Sequence, residues 1–118
     1  MKQQLVLDHV AMTVPDLDGL VDKLESVFGL MVDIRSPQFA LLTDPHSGLK
    51  LELGRSQDTS VHFRHLGFCT EDVDAMHTQL VASGLQESVV PQRRDFAHMY
   101  TSFLKQPDGF EIQLVKYD

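Results

Sequence analysis

The chain of 118 residues has only one cysteine, Cys69, and few basic residues. One cysteine cannot form an internal disulfide, and its apolar neighbours indicate a small core residue rather than a reactive thiol. Ten basic against 17 acidic residues give a net charge of -7, which argues against binding to nucleic acid or to an anionic membrane. The opening stretch MKQQLVLDHV contains no apolar run long enough for a signal peptide or a membrane span. We therefore expect a cytoplasmic protein.

The length of the chain fits a single domain, 1–118, with one hydrophobic core. A strand is predicted at Leu5–Val14, which is rich in β-formers and stops before a proline. A helix follows, with Asp16 as its N-cap and Gly29 at its end. Its predicted core positions are Leu17, Leu20, Val21, Leu24, Val27 and Phe28. Three short strands at about 31–35, 38–43 and 49–54 complete a βαβββ module over about 5–54.

The second half of the chain repeats this order over about 61–117. A strand is predicted at Val61–Cys69 and a helix in DVDAMHTQLVASGL, which ends at Gly84. Three further strands are predicted near 86–91, 97–104 and 110–116. Two copies are too few for a solenoid, so we expect a duplicated module within one fold.

Two stretches of the repeat place polar residues at matched positions. DHVAMTVPDLD and RHLGFCTEDVD each have a histidine in second place, His9 and His65, followed by apolar residues. Because side chains alternate along a strand, both histidines should face away from the helices. The closing strands SGLKLEL and DGFEIQL place Glu52 and Gln113 on the same face. Imidazole nitrogens and carboxylate or amide oxygens are suitable ligands for a divalent metal, with positions left open for water or substrate.

As a set, DHVAMTVPDLD, LKLELG, RHLGFCTEDVD and PDGFEIQL resemble the vicinal oxygen chelate superfamily. This superfamily includes glyoxalase I, extradiol dioxygenases, methylmalonyl-CoA epimerase and bleomycin-resistance proteins. The resemblance covers nearly the whole chain and implies a glyoxalase-like α+β fold. In this fold two tandem βαβββ modules form a curved mixed sheet with helices on the outer face.

The resemblance also implies a ligand set. In metal-dependent members the ligands come from the first and last strands of each module, and His9, Glu52, His65 and Gln113 hold those places here. The departure is at Gln113, where active members usually have glutamate. Either the metal, which would be nickel, zinc, manganese or iron, binds through a neutral Gln113 oxygen, or the site has lost its metal. Glu111, two residues earlier on the same strand face, is a minor alternative as a ligand.

Two classes of function follow from the resemblance. The first is a metal-dependent lyase, isomerase or epimerase that chelates a small oxygenated substrate through two oxygens and forms an enediolate-type intermediate. Glu52 is then the candidate general base, because an amide at Gln113 cannot accept the proton. The second is a metal-free small-molecule or drug-binding protein of the bleomycin-resistance type, without catalysis. An extradiol dioxygenase is disfavoured because its carboxylate ligand would stand where Gln113 is.

The segment PQRRDFAHMY could bring polar side chains to the rim of such a site. Guanidinium groups of Arg93 and Arg94 would hold a carboxylate or phosphate there, with His98 and Tyr100 beside them. A solvated hairpin is the alternative that we favour for this segment. The resemblance also implies that the chain forms a homodimer and that it binds a small-molecule substrate or ligand.

Overall fold

The computed structural model describes residues 5–118, and they follow the order βαβββ twice. The predicted fold class, two tandem α+β modules, is confirmed. None of the helices in this part of the chain is long and apolar enough to cross a membrane. The first module contains β1 (Val6–Val14), α1 (Leu17–Ser26), β2 (Met31–Arg35), β3 (Phe39–Thr43) and β4 (Lys50–Arg55). The second contains β5 (His62–Cys69), α2 (Val73–Ala82), β6 (Gln86–Arg94), β7 (Met99–Lys105) and β8 (Glu111–Tyr117).

The described residues form two compact units, which correspond closely to the two modules. The first unit is Asp8–Arg64, and the second is His65–Asp118 together with residues 5–7. In the first unit the strands lie in the order β2-β3-β4-β1, with β1 parallel to β4 and the other pairs antiparallel. In the second unit the order is β5-β8-β7-β6, with β5 parallel to β8. The sequence repeat is therefore also a repeat of strand order and direction.

The core of the first unit lies between α1 and one face of its strands. Asp16 caps α1, as predicted, because its carboxylate accepts a hydrogen bond from the backbone N–H of Gly19 at 3.0 Å. Met12 and Leu51 pack against the buried cluster, which confirms that their strand face is the one toward the helix. The cluster consists of Val14, Leu17, Val21, Ala40, Leu42 and Leu53.

The last two predicted core positions of the first helix, Val27 and Phe28, are wrong. The helix stops at Ser26, and the chain turns at Gly29, whose φ of +76° is in the left-handed region. Val27 and Phe28 therefore lie beyond the last helical turn, where they are 73% and 70% exposed. Helical spacing continues in the sequence for two residues after the helix itself has ended.

The core of the second unit combines apolar packing with a buried histidine. Val73, Met76, Leu104 and Leu114 form its buried cluster under α2. Beside them, His77 Nε2 donates to the Glu87 carboxylate at 2.7 Å, and its Nδ1 lies 2.8 Å from the Ser102 hydroxyl oxygen. These contacts connect α2 to β6 and β7 and satisfy the polar atoms of a side chain that is buried.

Two strand boundaries in the second unit differ from the prediction. β6 continues past Pro91 to Arg94, because Pro91 lies in a register shift between Val89 and Gln92 where no ladder N–H is needed. β7 begins at Met99 rather than near residue 97, because a short 3₁₀ turn at Asp95–Ala97 precedes it.

Replacing Leu53 by alanine should test the core of the first unit. Leu53 is fully buried, so the cavity left by Leu53→Ala is expected to lower the free energy of unfolding by about 2–5 kcal/mol. Val27→Ala, at an exposed position, should change it by less than about 0.5 kcal/mol. Urea denaturation measures both. Equal effects of the two substitutions would contradict the assignment of Leu53 to the core and of Val27 to the surface.

Candidate metal centre

The first unit brings two of the predicted ligands into contact. β1 and β4 run parallel, with His9 opposite Lys50 and Ala11 opposite Glu52. In this register the Nε2 of His9 lies 3.6 Å from Oε2 of Glu52. The His9 side chain is only 3% exposed, whereas that of Glu52 is 34% exposed. The imidazole is thus held inside the protein and the carboxylate remains reachable from outside.

Asp8 orients the imidazole of His9. Its Oδ2 lies 2.8 Å from His9 Nδ1, and its other oxygen is 3.3 Å from the ammonium nitrogen of Lys50. An ionised carboxylate only accepts hydrogen bonds, so Nδ1 of His9 carries the proton. In the neutral ring the electron pair is then on Nε2, the nitrogen on the side of Glu52. This carboxylate–imidazole pair is the arrangement that fixes the tautomer and ring orientation of metal-binding histidines.

The sequence reasoning did not find Asp8. Strand alternation places neighbouring side chains on opposite faces, so the sequence offers no reason to pair Asp8 with His9. The structure shows instead that the Asp8 carboxylate reaches the Nδ1 atom of the next residue. The repeat did contain a signal. The residue before the first histidine is acidic, Asp8, whereas the matched residue before His65 is basic, Arg64.

In the second unit, hydrogen bonds determine how the Gln113 amide is turned. Its Nε2 donates to Thr101 Oγ1 at 2.9 Å and lies 3.7 Å from the Met99 sulfur. Thr101 Oγ1 in turn donates its one proton to the Leu114 carbonyl at 2.6 Å, so it can only accept from Gln113. The amide NH₂ must therefore face Thr101, and the oxygen Oε1 points elsewhere.

The oxygen of Gln113 remains available to a ligand. It makes no hydrogen bond with the described residues. Every fully buried side-chain nitrogen or oxygen of those residues does have a hydrogen-bond partner. Oε1 must therefore reach the surface, although the residue as a whole is only 5% exposed. An amide oxygen is a neutral donor that suits a divalent cation.

His65 has an aromatic neighbour. The Phe103 ring meets the His65 imidazole edge to face, with centroids 5.4 Å apart and an angle of 85° between the planes. β5 and β8 are parallel neighbours with Gly67 opposite Gln113, so His65 and Gln113 lie on the same face of the second unit. Each unit thus presents its predicted histidine and its predicted oxygen ligand on the face away from its helix.

Most of the residues expected at a pocket rim are engaged elsewhere. Arg93 makes a two-pronged contact with Asp118, which lowers the pKa of that carboxyl group below its ordinary value. The Tyr100 hydroxyl donates to Asp74 at 2.7 Å, and this hydrogen bond, together with burial, raises the pKa of Tyr100. These contacts hold together the chain end and the α2 side of the second unit.

The remaining candidates for the rim and for a ligand, His98, Glu111 and Arg94, have different surroundings. His98 has a left-handed backbone, with φ of +52°, and its side chain is 82% exposed. Glu111 lies on the same strand face as Gln113, but its carboxylate accepts a hydrogen bond from Ser88 at 3.3 Å. Arg94 remains on that face, with its guanidinium carbon 5.4 Å from the centroid of the Phe103 ring.

Comparisons with known proteins agree with this architecture. The model of the glyoxalase/bleomycin resistance protein/dioxygenase superfamily matches residues 6–114. Methylmalonyl-CoA epimerase from Mycobacterium tuberculosis is 26% identical, with a TM-score of 0.74 over 95% of this chain and 87% of that one. A Streptomyces coelicolor methylmalonyl-CoA epimerase in complex with 2-nitronate-propionyl-CoA is 23% identical, with a TM-score of 0.66 over 94% and 96%. No curated protein matches the chain.

Thr101→Val should release the Gln113 amide. Valine keeps the shape of threonine but removes both the acceptor for Gln113 and the donor to Leu114. We expect a loss of about 1–3 kcal/mol in the free energy of unfolding and faster solvent exchange of the Gln113 side-chain NH₂ protons. Urea denaturation and ¹⁵N NMR of the metal-free protein measure the two effects. Thr101→Ser, which keeps the hydroxyl, is the control; wild-type exchange in Thr101→Val would contradict the proposed amide orientation.

Proposed function

The chain belongs to the glyoxalase/bleomycin resistance protein/dioxygenase superfamily, and on that basis we propose that it is a metal-dependent epimerase or isomerase acting on a small oxygenated substrate. The proposed ligands are His9, Glu52 and His65, together with the amide oxygen of Gln113. The observation that carries the proposal is the Asp8–His9 hydrogen bond, because a neutral His9 that donates from Nδ1 to Asp8 has its electron pair on the nitrogen nearest to Glu52.

The donor set fits a divalent cation. His9 Nε2 and Glu52 Oε2 are both electron-pair donors, and at 3.6 Å they are close enough to bind one cation together. The oxygen of Gln113 is turned outward by Thr101 and adds a neutral donor. Zinc, nickel, manganese and ferrous iron all accept a carboxylate, two imidazoles and an amide as ligands. We therefore propose a divalent metal from this group.

The metal would act on the substrate as a Lewis acid. When bound, it would polarise a carbonyl oxygen and stabilise the negative charge that develops as a neighbouring C–H proton leaves. The protein must supply the group that takes this proton. Gln113 cannot accept it, and His9 Nδ1 is occupied by its hydrogen bond to Asp8. Glu52 is a carboxylate that is partly exposed on the proposed site face, and we propose it as the base.

The choice of reaction is supported by the relatives. Methylmalonyl-CoA epimerase is the printed activity of the Mycobacterium tuberculosis protein, which is 26% identical to this chain. Epimerisation next to a carbonyl requires a polarised oxygen, a base that removes the C–H proton and an acid that returns a proton to the opposite face, and the proposed residues would supply the first two. Methylmalonyl-CoA is therefore the first substrate to test, with the thiol adducts of 2-oxoaldehydes second.

Several other expectations remain proposals. We propose that the chain acts as a single domain, that it forms a homodimer and that it works in the cytoplasm. A metal-free binding protein is the competing function. It would be supported if the metal-stripped protein bound an aromatic or peptide-like ligand and took up no metal.

Metal content should separate these two functions. The protein is stripped with chelator, reloaded with zinc, nickel, manganese or ferrous iron, and analysed by mass spectrometry. We expect close to one metal per chain for wild type and little in His9→Ala/His65→Ala. Asp8→Asn should weaken metal affinity by about 10- to 100-fold, because it removes the carboxylate that orients His9. His62→Ala, at an exposed histidine that contacts Asp58, is the control. Absence of metal in the wild type would refute the proposal.

Glu52→Gln should separate proton transfer from metal binding. Glutamine keeps an oxygen donor but cannot accept the proton, so metal content should stay near normal. Exchange of the substrate C–H proton for deuterium, followed by NMR with methylmalonyl-CoA in D₂O, should slow by about 10²- to 10⁴-fold.

Glu111→Gln is the matched control, since it makes the same chemical change at a carboxylate on the proposed site face of β8. We expect it to leave the exchange rate unchanged. Full activity in Glu52→Gln would exclude Glu52 as the base, and loss of activity in Glu111→Gln would transfer that role to Glu111.

A further inference from the structure

Arg94 differs from the other arginines of the chain in its surroundings. Arg35, Arg55 and Arg93 each pair with aspartate carboxylates, and Arg64 is exposed. Arg94 is partly buried in the second unit, and among the described residues its side chain makes no hydrogen bond or ion pair. The chain has seven more acidic than basic residues, so a shortage of carboxylates does not explain this.

The guanidinium group of Arg94 rests on an aromatic ring beside a predicted metal ligand. Its central carbon lies 5.4 Å from the centroid of Phe103. The same ring packs against the His65 imidazole, whose centroid is also 5.4 Å away. Phe103 is therefore in contact with both the cation and the imidazole.

Strand pairing places Arg94 on the same face as Gln113. Phe103 is opposite Gln113 across β7 and β8, and Arg94 is opposite Met99 across β6 and β7. The Met99 sulfur is in turn 3.7 Å from the Gln113 amide nitrogen. Arg94 thus belongs to the face that carries both predicted ligands of the second unit.

This arrangement leaves the guanidinium donors available to an anion. The contact with the ring uses none of the N–H groups in a hydrogen bond to a protein acceptor, and the fork geometry of these donors matches a carboxylate. A partly buried cation without a counter-ion is also unfavourable, and the ring compensates for only part of that cost.

We infer that Arg94, supported by Phe103, forms a subsite for a carboxylate group of the substrate. The substrate class is then a carboxylated compound in which the acid group is distinct from the carbonyl oxygen that the metal would polarise. This inference deepens the proposed function and rests on it for the reaction. The binding of the carboxylate itself can be tested separately.

The test compares malonate with its neutral analogue malonamide. Both are titrated into zinc-treated and metal-stripped protein, and binding is followed by the Arg94 Nε–H NMR signal and by calorimetry. We expect malonate to bind, malonamide to bind much more weakly, and the Arg94 signal to shift only with malonate. Arg94→Gln should weaken malonate binding by about ten- to a hundredfold, since it removes hydrogen bonds to a charged group. Arg94→Lys, which keeps the charge without the fork, should recover part of it.

Arg93→Gln is the matched control. Arg93 is the neighbouring arginine, but its guanidinium is held by Asp118, so its loss should leave malonate affinity unchanged. Thermal denaturation confirms that each variant is folded. Failure of wild type to bind malonate, equal affinity for malonamide, or unchanged affinity in Arg94→Gln would overturn the inference.

The outcomes also separate this inference from the proposed function. Malonate binding that depends on Arg94, without metal uptake or C–H exchange, would support the subsite and refute the reaction. C–H exchange of methylmalonyl-CoA that is unaffected by Arg94→Gln would support the reaction and refute the subsite.

Discussion

Side chains on a β-strand can face only one side of the sheet, and the polar residues of this protein depend on that constraint. In β4, Leu53 is fully buried toward α1, so its neighbour Glu52 must face the other way. In β8, Leu114 is buried under α2, and Gln113 faces away for the same reason. The register that builds each hydrophobic core therefore also builds each polar face. A shift by one residue would exchange the two.

The two units share this plan but differ in the chemistry around their histidines. His9 lies among charged groups, with Asp8 on its Nδ1 and Glu52 on its Nε2 side. His65 packs against the ring of Phe103, in a unit whose oxygen donor is the neutral amide of Gln113. The first unit thus supplies negative charge and the second supplies neutral, geometrically fixed groups.

This asymmetry has a consequence for the proposed metal site. A divalent cation held by one carboxylate and three neutral donors would keep part of its positive charge, which favours an anionic substrate or transition state. The hydroxyl of Thr101 suits glutamine at position 113 because it has already given its proton to the Leu114 carbonyl. A glutamate there would face an oxygen with no proton left to donate. Glutamine at position 113 is therefore matched by the residue beside it.

Pairing with carboxylates explains where most of the arginine side chains lie. In an acidic chain, most guanidinium groups find carboxylates that stabilise local structure. Arg93 does so with Asp118, and Arg55 with Asp18. Arg94, next to Arg93 in sequence, is on the opposite face of β6 and meets an aromatic ring instead. Adjacent arginines in one motif thus have different roles, because strand alternation sends them to different surroundings.

The sequence by itself determined the two βαβββ modules, the Asp16 cap of the first helix and the faces of His9, Glu52, His65 and Gln113. These features follow from local rules: apolar periodicity, Asp at the N-cap and Gly at left-handed turns. Tertiary structure alone decided the second partner of Asp8, the orientation of the Gln113 amide and the different partners of Arg93 and Arg94. Each of these depends on atoms that strand pairing brings together from distant positions, such as Lys50 beside Asp8 and Thr101 beside Gln113. Spacing along the chain carries no information about such contacts, because register and side-chain reach are established only when the strands pair.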